Sequence, residues 1–188
     1  YRDAELYRRA IVDESVPVFG WDIGLGDMFG RAVMTHYLGL IKYTDAAPEM
    51  REVMLHDTSE DMKSFAIEGM GRLNASKYVF DLIYFMKLSR GHLRRDCADT
   101  LGRIGNKKAL VPLREMYEDA VHTIHMADLA GEEWESYQSE WSAVIEYVAA
   151  MLRIGGALAQ QTLQEALDDS NVHVFEAAKR ARIKGAFR

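Results

Sequence analysis

The sequence predicts an all-α superhelix, a solenoid of repeated helix pairs, and two patterns in it carry that expectation. The first is a motif: Thr100-Leu101-Gly102-Arg103-Ile104-Gly105 closes one apolar helical run shortly before another begins at Lys107-Lys108-Ala109-Leu110. Gly69-Met70-Gly71-Arg72-Leu73-Asn74 stands in the same frame 31 residues earlier. Ala150-Met151-Leu152-Arg153-Ile154-Gly155 repeats it downstream, and Lys179-Arg180-Ala181-Arg182-Ile183-Lys184 repeats it more faintly. The second pattern is a register of apolar columns between the motifs. Met50, Leu82, Leu113 and Leu163 correspond, followed by Val53, Phe85, Met116 and Ala166, then Met54, Met86, Tyr117 and Leu167. These columns fall at i, i+3 and i+4, the inward stripe of an amphipathic helix. One two-helix unit, used four to five times in a right-handed stack, accounts for the chain.

The elements follow in order. Residues 2–13 form a short helix, with Ala4, Leu6, Tyr7, Ala10 and Ile11 near one face. Pro17, Gly20, Gly24 and Gly26 interrupt any period, so 14–25 is a loop anchored by Phe19 and Trp21. Residues 1–25 are expected to cap the array, since a terminal repeat would otherwise leave its apolar side bare. The array then occupies 26–188, opening with a helix capped by Asp27 and running to about Leu40. Acidic turns are expected before each new helix, at His56-Asp57-Thr58-Ser59-Glu60, Glu118-Asp119 and Asp168-Asp169-Ser170-Asn171. Their side-chain oxygens accept from the free N–H groups of the helix that follows. The recurring Gly suits the sharp bend between the two helices of a unit.

One interval departs from the period. Arg72 and Arg103 are 31 residues apart, whereas Arg103 and Arg153 are 50 apart. The extra length reads as two consecutive lengthened helices, a projecting hairpin over about 118–148. Its second half presents Trp134, Tyr137, Gln138, Trp141, Ile145 and Val148 on one face. That stripe packs either against Val121, Ile124 and Leu129 of the first half or against another chain.

This arrangement resembles HEAT-like repeats of the short type found in phycobilisome lyase subunits. The resemblance rests on Leu101-Gly102-Arg103-Ile104-Gly105 followed by Ala109-Leu110-Val111-Pro112-Leu113, and on the Asp-rich turns, and it covers roughly 27–185. It implies an architecture. The same module recurs in lyases, hydroxylases, glycosylases and plain scaffolds, so it selects no activity.

Composition narrows the functional classes. Hydrophobic content of 48% and charged content of 28% are those of an ordinary globular domain, and no apolar run is long enough to span a bilayer. No membrane association is expected, and the cytoplasm is the expected compartment. A single cysteine, Cys97, excludes an intrachain disulfide and reads as a buried thiol. The net charge of -6 opposes phosphate-backbone binding, so nucleic acid is not an expected partner. Charge is also uneven. Eight Lys and Arg lie between Lys87 and Arg114, and nine acidic residues with no Lys or Arg lie between Glu115 and Glu146. Docking of one chain's acidic hairpin, through Trp134, Tyr137 and Trp141, on another's basic ridge would make a homodimer.

The candidate partner surface comes from columns that leave the core. Arg51, Ile83, Arg114 and Gln164 correspond, as do Glu52, Tyr84, Glu115 and Glu165, with Phe80 aligned to Val111. Phe80, Ile83 and Tyr84, flanked by Arg51 and Arg114, make an aromatic patch rimmed by charge. Either a protein or peptide lies on it, or the N-terminal helix folds back over it. The leading expectation is a non-enzymatic interaction scaffold binding along this groove, with no cofactor.

Two other readings are kept beside it. Resemblance to the lyases implies a tetrapyrrole in the groove, with Arg51, Arg94, Arg95 and Arg114 meeting propionates and Phe80 and Tyr84 stacking on the rings. His122 and His125, near Glu118 and Asp119, are a weak metal candidate; the His-Glu dipeptides of iron-dependent HEAT-type hydroxylases are missing here, and no metal is expected. The column Arg72, Arg103, Arg153 and Arg182 reads as cations at the negative ends of helices, paired with acids one turn away.

Overall fold

The computed structural model describes residues 2–12 and 28–186, so Phe19, Trp21 and the Asp27 cap lie outside the described residues. Among the described residues ten α-helices follow one another: α1 (Arg2–Val12), α2 (Met28–Leu40), α3 (Ala47–His56), α4 (Glu60–Arg72), α5 (Val79–Leu88), α6 (Gly91–Ile104), α7 (Leu110–Leu129), α8 (Trp134–Ile154), α9 (Ala157–Leu167) and α10 (Val172–Ala186). Short 3-10 turns at Thr44–Ala46, Ser76–Tyr78 and Lys107–Ala109 lead into α3, α5 and α7. There is no strand among the described residues, and the fold is an all-α helical repeat. The chain divides into two compact units, 1–82 and 83–188.

In the first unit α1 packs on α2 and α3, while α4 packs on both α2 and α3. Helix α1 buries Ala4, Tyr7, Ala10 and Ile11, and Tyr7 meets Tyr37 edge-on at 5.5 Å between ring centres. A buried cation ties the layers together. Arg31 on α2 donates through Nε to the Ile11 carbonyl at 2.8 Å and pairs with Asp57 in the α3–α4 turn. Asp57 in turn accepts from the Ser59 amide at 2.8 Å, and the Ser59 hydroxyl caps α4 by accepting from Met62. An enclosed charge left by deleting either partner costs about 3–5 kcal/mol, so the pair fixes this turn.

In the second unit α8 is the central helix, packed against α6, α7 and α10, with α9 against α10. Small residues bring the helices together. At Gly102 of α6 a Cβ would stand 2.7 Å from the Ala150 Cα, and at Gly185 of α10 one would stand 2.8 Å from the Leu152 Cβ. The motif glycine Gly102 therefore serves close packing between helices. The bend falls three residues later, where Gly105 and Gly155 take φ of +72° and +81°. Asn74 and Lys42, at +52° and +53°, fill the same slot at the ends of α4 and α2. Asparagine tolerates the left-handed region better than most residues. Helix α2 thus ends as the later helices of the repeat do.

Helices α7 and α8 run 20 and 21 residues, against 10 for α3 and α5. Glu118 and Asp119, expected at a turn, stand inside α7. Both Ser89-Arg90 before α6 and Glu133 before α8 lack a side-chain cap, whereas Asn171 caps α10 by accepting from His173 and Val174. Side-chain capping, by Ser59 and Asn171, thus marks some pair junctions and not others.

Candidate functional site

The apolar stripe of α5 decides which of its residues reach solvent. Val79, Leu82, Ile83 and Met86 are buried at the i, i+3, i+4, i+7 positions that face a core. Ile83, expected on the partner surface, is therefore a core residue at 8% exposure. Phe80, in the first unit, is 63% exposed; Tyr84 and Leu88, in the second, are 62% and 66% exposed. Helix α1 rests on α2 and α3, and Phe80 stays open to solvent.

Within the second unit an ion pair aligns α5 with α7. Lys87 Nζ meets Glu115 Oε2 at 2.6 Å, both side chains about half exposed. Lys87 lies one turn after Tyr84 and one residue before Leu88, and Glu115 lies one turn after Val111, itself 59% exposed. Residues one turn apart share a helix face. Tyr84 and Leu88 thus share an exposed face of α5 with Lys87, and Val111 shares one of α7 with Glu115, the Lys87–Glu115 bridge joining the two helices. Leu88 and Val111 had not been singled out in the sequence; Val111 was visible only as the position aligned with Phe80.

The two arginines expected to rim this surface are already engaged. In the first unit Arg51 binds Asp81 at 2.6 Å and Glu52 at 2.8 Å. In the second, Arg114 pairs with Glu118 at 2.6 Å and with Glu165 of α9, and also donates to Thr162 Oγ1 at 3.0 Å. Hydrogen bonds from Gln161 and Arg114 hold the Glu165 carboxyl below its ordinary range. These arginines and Lys87 are clamps between successive repeats. A partner or a propionate would have to break them to use them.

A second recess, ≈ 370 Å³, lies between α7 and α9 and is lined by Arg114, Tyr117, Glu118, His122, His125 and Asp169, among others. His125 Nε2 is 3.0 Å from Asp169 Oδ1, whereas His122 is exposed to solvent. Burial pushes the Tyr117 hydroxyl up to about 12, so it stays protonated at neutral pH. Among the described residues no group of three or more His, Cys, Asp or Glu side chains is arranged to hold a metal.

The aromatic stripe of the hairpin is engaged within the second unit. Trp134 stacks on His173 of α10 at 4.5 Å and meets Tyr137 and Trp141 edge-on at 5.4 Å. Arg180 of α10 lies over the Trp141 ring at 4.8 Å. Tyr137 is buried, and the two tryptophans are half-buried. Beyond the two neighbours expected for this stripe, the first half of the hairpin or another chain, α10 supplies a third. Its His173 and Arg180 have no apolar signature that the sequence would show.

Three of the four arginines in this column pair with acids, while Arg182 stands exposed on α10. Arg72 meets Glu68 at 2.8 Å and Arg103 meets Asp99 at 2.7 Å, each one turn back. Arg153 reaches across from α8 to the same Asp99 at 2.6 Å.

The first unit has an apolar groove of ≈ 630 Å³ between α2 and α4, lined by Ala32, Val33, His36, Tyr37, Leu40 and Phe65, with Asp61 and Ser64. Its lining residues lie outside the core columns of the repeat.

Comparison with known proteins agrees with this architecture. Residues 47–127 match the family model for HEAT repeats, which spans α3 through most of α7. Over those residues the chain is similar to HEAT repeats. Among solved structures it is similar to the complex of CpcE and CpcF of phycocyanin lyase from Nostoc sp. PCC7120, with a TM-score of 0.58 and 20% identity. The match covers 97% of this chain and 65% of that one, so the chain spans less than two thirds of the length of its neighbour. No curated protein matches the chain. Among the described residues no helix is long and apolar enough to cross a membrane.

Proposed function

We propose that the protein is a non-enzymatic interaction scaffold whose second unit binds a protein or peptide on the face of α5 and α7. The observation that supports this most is the exposure of Tyr84 and Leu88 on α5 and of Val111 on α7, the two helices being joined by the Lys87–Glu115 bridge. Exposed apolar side chains edged by charge are a common form of protein-binding surface, and burying them against a partner is favourable by about 25 cal/mol per Å². Consecutive repeats offer such a face along several helices, which suits an extended partner. The similar solved structure is itself a complex of two proteins. The test is affinity purification with the parent and with a Tyr84→Ser, Val111→Ser variant. Both positions are exposed, so the variant keeps its melting temperature and loses the partner; recovery of the same proteins by both would refute the reading.

The groove of the first unit favours a second reading, a bound apolar small molecule such as a tetrapyrrole. Its volume of ≈ 630 Å³ and its lining by Val33, Tyr37, Leu40 and Phe65 fit the usual range for small-molecule sites. The phycocyanin lyase in the neighbour's name makes a bilin the first ligand to try. Mixing the protein with a bilin tests it by the visible spectrum. A saturable shift lost in Tyr37→Ser supports the reading, and an unchanged spectrum at saturating bilin removes it.

A further inference from the structure

Helix α10 carries two stripes of opposite character. Val174, Ala177, Ala178, Ala181 and Gly185 are buried at core spacing, where α10 packs on α8 and α9. His173, Arg180 and Lys184 lie to one side, engaged with Trp134, Trp141 and Glu146 of α8. The far side is bare. Val172 and Ile183 are 62% and 63% exposed, with Phe175 between them at 37%. Glu176 and Lys179, each about half exposed, and Arg182, also exposed, share that side. These six residues stand at i, i+3, i+4, i+7, i+10 and i+11, a single stripe along about three turns of helix.

The order of side chains along this stripe is what identifies its partner. From the N-terminal end it runs apolar Val172, aromatic Phe175, acidic Glu176, basic Lys179 and Arg182, then apolar Ile183. Turned end for end beside a copy of itself, the stripe meets complementary chemistry along its whole length. Val172 comes opposite Ile183 and Glu176 opposite Lys179, about a shared centre between Ala177 and Ala178. Phe175 comes opposite Arg182 within one residue of the same centre, a cation facing an aromatic ring. Parallel pairing would instead set Glu176 on Glu176 and Lys179 on Lys179. Within one chain Lys179 meets Glu176 at 2.8 Å and lies 5.2 Å from the Phe175 ring centre. An exposed pair of this kind is weak, so both side chains can turn to a neighbour. The hairpin tip adds to the pattern. Asn171 donates to Asp128 at 3.3 Å, which holds the acidic end of α7 beside the start of α10, away from the basic residues further along.

A two-fold interface presents the same patch from both sides, so the patch must complement itself. We propose that the exposed stripe of α10 is a homodimer interface, with α10 of one copy packed antiparallel on α10 of a second. Val172 and Ile183 cover each other at the two ends, and Glu176 and Lys179 exchange partners across the axis. The occupant is a second copy because one helix carries both halves of its own complement, an order that an unrelated partner would not require. One helix face per copy is smaller than the roughly 800 Å² that a standard interface buries on each side, so the dimer dissociates on dilution. The stripe shares no residue with the face of Tyr84, Leu88 and Val111, and the inference does not depend on the scaffold reading.

The test is sedimentation equilibrium of the full chain over a dilution series of about 1 to 200 μM. The parent should pass from monomer to dimer within it. Lys179→Glu and Glu176→Lys each place like charges opposite at two symmetric contacts, and each should raise the dissociation constant about tenfold or more. An equal mixture of the two variants restores opposite charge at both contacts, and its dissociation constant should return to within about threefold of the parent's. Both residues are exposed, so the variants should melt close to the parent at low concentration, which keeps folding and pairing apart. A parent that stays monomeric throughout the series would overturn the proposal. So would variants that dimerise as the parent does, or a mixture that pairs no more tightly than either variant alone.

Discussion

Gly102 of α6 packs against Ala150 of α8 so closely that a Cβ at Gly102 would lie 2.7 Å from the Ala150 Cα and 3.0 Å from its Cβ. A backbone atom blocks the space, so no rotamer change can relieve the clash. Gly102→Ala in an open helix would stabilise by up to about 1 kcal/mol. Here the helices must separate, and the expected result is a loss of about 1–3 kcal/mol. Urea denaturation reads the sign directly: a lower midpoint supports the close packing, and a higher one contradicts it.

Asp99 links two helices through Arg103 on its own helix and Arg153 on α8. Burial by itself would raise this carboxyl, but the hydrogen bond from Arg153 and the charges of Arg103, Arg153 and Lys184 outweigh it and lower the group. A carboxyl lowered in the folded state adds stability that is present above its unfolded pKa of about 4 and is lost as pH falls through the folded value. Asp99→Asn should therefore cost about 1–3 kcal/mol at neutral pH. The variant should also lose part of the parent's decline in stability below pH about 4. Equal acid slopes in parent and variant would show that Asp99 has no such role.

The stack of Trp134 on His173 joins the start of α8 to α10. His173→Ala should lower stability by about 1 kcal/mol, the scale of an aromatic pair, and change the near-UV circular dichroism of the tryptophans. Unchanged near-UV signal and stability would show that the two rings do not meet in solution.

The sequence revealed the helices well where a residue type carried the geometry. Met50, Leu82 and Leu113 stand in register and are all fully buried, because core positions in a repeat admit few alternatives. Gly105 announced the helix end because a left-handed residue is needed there, whereas Lys42 takes the same conformation without any compositional sign. The partner surface was less legible. Ile83 and Tyr84 are adjacent in sequence and equally apolar, and only the rotation of α5 buries one and exposes the other. Arg51 and Arg114 could not be separated in the sequence from free rim charges, since their partners Asp81 and Glu165 lie about 30 and 50 residues away.

The scaffold reading makes a demand on Tyr84 in particular, exposed on α5 beside the Lys87–Glu115 bridge. The most direct measurement replaces Tyr84 with a photo-crosslinking benzoyl-phenylalanine in the protein's own cells, with the exposed Arg182 of α10 as the control position. Irradiation should join Tyr84's position to one partner protein in high yield, and that adduct should disappear when Val111→Ser is added. No adduct at position 84, or the same adducts from positions 84 and 182, would contradict the account.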